Sequence, residues 1–357
     1  MRRERSFILV SLALWVAVLS GCATTKSDYR LPSYTGPVQK GSVLRQYNLD
    51  PALEGTILAM NPGRVSEQQV REVLAKAGAP RIVNIHGGIY PVYLCMESFS
   101  TFLMGMGYPA EKIRNPGNGS VTFSCYGSSA KIAGAIAWYY EKEGLRPMVV
   151  GHSQGGIQAV KVLHDLAGSF SDSVTVYNPL TGNYEDRTTI LDPFTGQERP
   201  VVGVQVSYST AVGAGGFTRF LPNQWVMTGR LRTIPDTTVA FTGFIINMDL
   251  LGGDLLGFGP ANLYRANGKA EVRNVWLPFG SNHVTVPVTA HLVNDQKIKD
   301  WINNDYVPSE RPEVNVEFES NSVNILWAAD VWYSIKKHWV LELQRLIRAR
   351  RDMANAR

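Results

Sequence analysis

The chain has 357 residues, a formal net charge of +5 at neutral pH, 45% hydrophobic residues and 18% charged residues. These fractions are ordinary for a globular protein with a large apolar core, and they exclude a disordered or collagen-like chain. The three cysteines are too few for a disulfide scaffold, no Cys/His spacing resembles a zinc site, and the basic residues form no stripe typical of nucleic-acid binding. We therefore expect no metal, no cofactor and no nucleic-acid partner.

The first residues have the pattern of a bacterial export signal. A charged start at residues 2–5 precedes an apolar run at residues 7–19, which is too short to span a membrane comfortably. The run ends in Leu-Ser-Gly-Cys, which resembles the lipobox of bacterial lipoproteins. That resemblance implies a signal peptide at residues 1–21, acylation of Cys22 (for example with palmitate), and a lipid anchor in the cell envelope, at the outer membrane. A plain secreted protein remains the alternative.

Three further regions follow along the chain. Residues 22–60 contain the acylated N terminus and a polar tether with Pro and Gly, residues 61–310 alternate β-branched runs with amphipathic stretches, and residues 311–357 form a C-terminal helical extension. Strands are predicted at residues 81–85, 147–150, 201–208, 239–247 and 272–278, and helices at 93–106, 128–143, 155–167, 286–303 and within 322–351. Such alternation predicts an α/β domain, with a mostly parallel central sheet and helices on both faces.

Two cysteines lie within the predicted domain. In an oxidising compartment, Cys95 and Cys125 would close a loop of about 30 residues with one disulfide. Two buried free thiols are an equally reasonable interpretation, and the sequence leaves both open.

The most informative stretch is Gly-His-Ser-Gln-Gly-Gly at residues 151–156. It places a G-x-S-x-G motif directly after an apolar strand and before an amphipathic helix, which is the context the motif requires. Small residues allow a sharp turn that exposes the Ser153 hydroxyl at the carboxyl end of the sheet. The backbone N–H of Gln154 then lies where it can stabilise an oxyanion.

A second segment, His-Gly-Gly at residues 86–88, ends an earlier predicted strand. Together the two segments resemble the oxyanion loop and the nucleophile elbow of lipase- and esterase-like members of the α/β-hydrolase superfamily. The resemblance covers residues 75–305 and implies an α/β-hydrolase fold with lid-like insertions. It also implies that the Gly87–Gly88 segment and Gln154 supply the oxyanion-binding amides.

A serine nucleophile needs a histidine base, and in this superfamily the acid and then the histidine follow the serine along the chain. His283 follows an apolar strand through a short loop, a position suited to a catalytic base. His291 falls within a predicted helix and is the weaker choice. The four other histidines are placed elsewhere: His86 in the oxyanion segment, His152 in the elbow with its side chain turned away, His164 far down the next helix, and His338 in the terminal helix.

The catalytic acid is expected between Ser153 and His283. Asp249 ends an apolar strand and precedes two glycines, so its carboxylate would lie at the same sheet edge as the serine. Asp254, in the same loop, is its competitor, whereas Asp192 and Asp236 lie in proline-containing connections and are weaker candidates.

Residues 178–200 and 212–235 are longer than simple loops, and Phe217, Phe220 and Trp225 would either line an acyl pocket, cover it as a lid or pack as ordinary loop residues. An S-x-x-K pattern at residues 128–131 predicts a helix N-cap and not a nucleophile.

These observations predict a membrane-anchored serine hydrolase that cleaves carboxylic esters, such as lipid or other acyl esters, through an acyl-enzyme. The alternatives are an amidase, a peptidase or an acyltransferase with the same triad, an envelope factor that needs a protein partner, and a non-catalytic lipoprotein that uses the fold for binding.

Overall fold

The computed structural model of the chain describes residues 47–88, 90–214, 222–249, 251–252, 262–314 and 324–355. The predicted signal peptide, Cys22 and most of the predicted tether lie outside these ranges, as do Phe217, Phe220 and Asp254. No helix in the described ranges is both long enough and apolar enough to cross a membrane.

A sheet of five parallel strands forms the centre of the fold, and their spatial order is their order along the chain. The strands are β1 (Ile82–Ile85), β2 (Met148–His152), β3 (Val206–Val212), β4 (Thr238–Ile246) and β5 (Glu271–Leu277). The predicted parallel sheet is therefore confirmed. Strand β3 begins later than predicted because Gly203 forms a turn with a φ of 92° just before it.

The sheet is covered on both faces, as its side-chain alternation requires. Successive strand side chains point to opposite faces, so Val149 enters one hydrophobic cluster while Met148 and Val150 enter the other. The cluster that contains Val149, called the second cluster, includes residues of helices α4 (Ser129–Glu143) and α5 (Gln154–Leu166). The cluster that contains Met148 and Val150, called the first cluster, includes residues of five other helices. These are α1 (Pro51–Ala59), α2 (Glu67–Glu72), α3 (Tyr90–Gly105), α6 (Gln296–Asp300) and α7 (Ile325–Asn355).

Helix α4 begins and ends on local sequence signals. The Ser128 hydroxyl accepts a hydrogen bond from the Lys131 N–H at 3.3 Å, so the predicted N-cap is confirmed. The helix ends at Gly144, whose φ of 72° suits glycine at a helix C terminus.

The single helix predicted at residues 286–303 is wrong. The chain forms a 3₁₀ turn (Ala290–Asn294), then α6, then a π turn (Trp301–Asp305). The Asp295 side chain accepts from the N–H groups of Lys297 and Ile298, and this capping starts a new helix in the middle of the predicted one.

The C-terminal segment forms one continuous helix, α7, and it belongs to the core. The side chains of Trp327, Trp332 and Trp339 are completely buried among residues of the first cluster. Helix α7 is therefore integral to the packed domain and not an extension added outside it.

Helix α1 lies within residues 22–60, for which the sequence predicted a tether, and it packs against α7. The Gln344 amide donates to the carbonyls of Ile57 and Met60, both at 2.9 Å. The Arg350 guanidinium pairs with Glu54 at 2.5 Å. Residues 51–59 are therefore part of the packed domain, because Ile57 of α1 is buried in the first cluster together with residues of the terminal helix.

The long segment at residues 178–200 is structured. It contributes to two antiparallel hairpins, Tyr177–Asn178 with Asn183–Tyr184 and Thr189–Leu191 with Glu198–Pro200. The Arg187 guanidinium pairs with Glu141 of helix α4 at 2.7 Å. A further short pair of parallel strands joins Thr233–Pro235 to Arg265–Asn267.

Cys95 lies on helix α3 and Cys125 precedes helix α4; both side chains are buried, and no disulfide joins them. Of the two interpretations that the sequence left open, the structure contains the unbridged one.

Burial of the α7 tryptophans predicts a large loss of stability when one is truncated. Trp339→Ala removes a fully buried ring, whose indole N–H donates to the Gly78 carbonyl at 2.7 Å, and should lower the free energy of unfolding by about 3–5 kcal/mol. Trp225, 62% exposed, provides a matched control, and Trp225→Ala should change that free energy by about 0.5 kcal/mol or less. Chemical denaturation measures both. Equal losses in the two variants would contradict the placement of α7.

Candidate active site

The loops that follow the five parallel strands all lie at one edge of the sheet, where crevices between parallel strands commonly bind ligands. Each of these loops contributes a residue to the candidate active site. These residues are Gly87 after β1, Ser153 after β2, Gly213 after β3, Asp249 after β4 and His283 after β5.

Ser153 occupies a sharp turn between β2 and α5. Its φ of 57° and ψ of −125° are a strained combination for a residue with a side chain, and its N–H donates to the Val212 carbonyl at 2.9 Å. The turn depends on glycine. A Cβ on Gly151 would lie 2.3 Å from the Gly155 carbonyl oxygen, and a Cβ on Gly155 would lie 2.2 Å from the Ile85 carbonyl oxygen.

The structure brings Ser153, His283 and Asp249 into one hydrogen-bonded row. Ser153 Oγ lies 2.8 Å from His283 Nε2, and His283 Nδ1 lies 2.7 Å from Asp249 Oδ2. Because a carboxylate only accepts hydrogen bonds, the ring proton is assigned to Nδ1, and Nε2 is left to accept the serine proton. Such a row can convert the hydroxyl into a nucleophile.

Backbone geometry around Asp249 keeps its carboxylate aimed at the imidazole. The Gly252 N–H donates to Oδ1 at 2.8 Å, so both carboxylate oxygens have partners. Met248, with a φ of 56°, turns the chain just before Asp249. A Cβ on Gly213 would lie 2.8 Å from His283 Nδ1, so only glycine fits beside the pair.

His152 supports His283, a role that sequence analysis missed. Its side chain turns away from the serine hydroxyl, as expected, and its Nε2–H donates to the backbone carbonyl of His283 at 2.7 Å. Complete burial and the neighbouring His283 lower the pKa of His152 to about 3, so the ring stays neutral at physiological pH. A histidine within the G-x-S-x-G motif and directly before the nucleophile was the only available signal.

Gly87, the first residue of the Gly87–Gly88 segment, lies against Ser153. A Cβ on Gly87 would lie 2.8 Å from Ser153 Cβ and 3.2 Å from Ser153 Oγ, and a Cβ on Gly88 would lie 2.3 Å from Gln154 Oε1. Gln154 is the first residue of α5, at the end of the helix where the helix dipole favours negative charge. Gly87 therefore lies against Ser153, and Gly88 lies against the Gln154 side chain.

The weaker histidine candidates do not join the row. His164 contacts Ser169 at 3.0 Å and the carbonyls of Arg230 and Thr233. His291 lies in the 3₁₀ turn after His283, and the buried His338 stacks on Tyr208.

The weaker carboxylates organise loops. Asp192 accepts hydrogen bonds from backbone N–H groups of its own hairpin, and Asp236 accepts from the N–H of Ala270 at 3.0 Å. Asp254 lies outside the described residues, so the structure does not place it beside His283 or away from it.

Comparisons of the chain with protein-family models, with curated proteins and with solved structures found no match. Across the ranges that the structure describes, no group of three or more His, Cys, Asp or Glu side chains could hold a metal ion. The chemical interpretation of the site therefore rests on the geometry of its side chains.

Two glycine-to-alanine substitutions should change the free energy of unfolding in opposite directions, because Gly155 lies against β1 and Gly55 has open space beside it. Gly155→Ala forces a methyl group onto the Ile85 and His86 carbonyl oxygens, and we expect a loss of about 1–3 kcal/mol in the free energy of unfolding. Gly55→Ala, on the exposed side of α1 with no atom within 4 Å of the new Cβ, should raise it by about 0.5–1 kcal/mol. Denaturant titration distinguishes them, and a neutral Gly155→Ala would contradict the tight turn.

Proposed function

We propose that the protein is a serine hydrolase of the α/β-hydrolase type that cleaves carboxylic esters through an acyl-enzyme. The hydrogen-bonded row of Ser153, His283 and Asp249 carries this proposal. The strained turn at Ser153 and the glycine segment beside it support it, because acyl transfer needs both an exposed nucleophile and oxyanion-binding amides.

In the proposed reaction, Ser153 Oγ attacks the ester carbonyl carbon while His283 Nε2 takes the hydroxyl proton. Asp249 stabilises the resulting imidazolium and keeps the ring oriented. Backbone amides of Gln154 and of the Gly87–Gly88 segment bind the oxyanion. The tetrahedral intermediate then releases the alcohol, which takes its proton from His283, and leaves an acyl group on Ser153.

A water molecule completes the cycle. His283 removes a proton from the water as it attacks the acyl carbonyl, and a second tetrahedral intermediate forms in the same amide pocket. Its collapse releases the carboxylic acid and returns the proton to Ser153 Oγ. No step requires a cofactor.

Apolar side chains near the site favour lipid or other acyl esters as substrates. Tyr90, Met248 and Phe279 are 73%, 68% and 81% exposed, and each follows the carboxyl end of a different sheet strand. Exposed apolar groups concentrated at one edge are typical of a surface that meets an apolar partner. The predicted acylation of Cys22 would hold the protein at membrane lipids in the bacterial cell envelope, at the outer membrane.

Removing the nucleophile tests the proposal directly. Ser153→Ala should lower kcat for a p-nitrophenyl ester by at least about 10⁴-fold while the protein remains folded, since only one hydroxyl is lost. A fluorophosphonate probe should label the unsubstituted protein at Ser153 and should not label the variant. Ser309→Ala, at an exposed serine, is the control and should retain labelling and turnover. Absence of labelling in the unsubstituted protein would instead favour a non-catalytic binding function.

The two neighbouring carboxylates give a second test. Asp249→Asn should lower kcat by about 10³–10⁴-fold, because an amide stabilises the wrong ring tautomer and no longer stabilises the imidazolium. Asp254→Asn should leave kcat close to that of the unsubstituted protein. Steady-state kinetics on the same ester measures both, and the reverse order of effects would transfer the acid role to Asp254.

A further inference from the structure

A tyrosine outside every sequence motif contacts the oxyanion-binding segment. Tyr126 lies in the connection between α3 and α4, and its phenolic O–H donates to the carbonyl of Gly88. A Cβ on Gly88 would lie 3.1 Å from that phenolic oxygen. Gly88 is therefore enclosed between the Tyr126 ring and the Gln154 side chain.

Two side chains constrain the backbone on both sides of the Gly88 amide. His86 Nδ1–H donates to the Gly87 carbonyl at 2.7 Å, and Tyr126 donates to the next carbonyl, that of Gly88. In a planar trans peptide the N–H points opposite to the preceding C=O, so the bond to Gly87 directs the Gly88 N–H away from His86. The bond from Tyr126 to the Gly88 carbonyl restricts rotation about the Gly88 Cα–C bond, where glycine otherwise has unusual freedom.

The segment that carries Tyr126 is itself firmly held. Phe123 extends the sheet beside β1, donating to the Asn84 carbonyl at 2.7 Å and accepting from the His86 N–H at 3.1 Å. The Gly127 carbonyl accepts from the Gln158 amide of helix α5 at 2.7 Å. Tyr126 is thus attached to the same two elements, β1 and α5, that present the glycine segment and the nucleophile.

We propose that Tyr126 is a positioning residue for oxyanion binding, which rests on the proposed hydrolase function. Its O–H bond to the Gly88 carbonyl keeps the Gly88 amide in the orientation that stabilises the tetrahedral intermediate. Without that bond, the His86 contact alone restrains the segment, and the Gly88 N–H spends less time in that orientation. Preorganised donors of this kind stabilise the transition state more than the bound substrate.

Tyr126→Phe removes only the hydroxyl and tests this role. We expect kcat for a p-nitrophenyl ester to fall by about tenfold with little change in KM, because the lost orientation matters mainly in the transition state. Binding of a trifluoromethyl ketone, which forms a tetrahedral adduct with the serine, should weaken by the same factor as kcat/KM. Tyr184→Phe is the matched control, since Tyr184 is equally exposed at 39% and lies in a hairpin away from the elbow sequence.

Several outcomes would overturn the inference. An unchanged kcat in Tyr126→Phe, with or without a lower melting temperature, would make the contact merely structural. A raised KM with unchanged kcat would indicate a substrate contact in place of a positioning role. Fluorophosphonate labelling of the unsubstituted protein at Ser153 is the separate check. If the unsubstituted protein is labelled and Tyr126→Phe leaves kcat unchanged, only this inference is rejected. If the unsubstituted protein is neither labelled nor active, the proposed function is rejected.

Discussion

Close packing of helix α5 against strands β1 and β2 is the constraint on which the site depends. Gly151 and Gly155 bring backbone atoms to distances that no side chain allows, and Ser153 takes a strained conformation between them. Backbone strain of this kind costs about 1–3 kcal/mol and persists only where the surrounding structure enforces it. Here the buried sheet and the hydrophobic clusters on its two faces supply that enforcement.

Parallel strand direction explains how residues far apart in the chain meet. Ser153 and His283 are separated by 130 positions, yet both follow strands that end at the same sheet edge. Asp249 follows β4, the neighbour of β5, in a turn that starts at Met248. A buried polar network then holds the row, with His152 on the His283 carbonyl and Gly252 on the Asp249 carboxylate.

Local patterns predicted those parts of the fold that depend on local physics. The β-branched runs gave the approximate positions of all five sheet strands, and the Ser128 cap and Gly144 marked the limits of α4. The predicted helix at residues 286–303 failed because a capping aspartate, Asp295, interrupts an otherwise helical hydrophobic pattern. The sequence predicts a tether where α1 forms, because no local pattern shows that α1 is buried against α7. That burial depends on contacts nearly three hundred positions away, such as the one between Gln344 and Ile57.

By itself, the sequence determined the sharp glycine-flanked turn at Ser153 and the alternation that builds a parallel sheet. Each follows from residue types at fixed spacing, since glycine alone tolerates the close approaches and alternation sets which face is buried. Only the tertiary structure decided that His283 and not His291 reaches the hydroxyl, that Asp249 lies against His283, and that Tyr126 contacts Gly88. Those pairings join elements that no local pattern connects, because the contacts exist only after the strands have assembled and brought their loops to one edge.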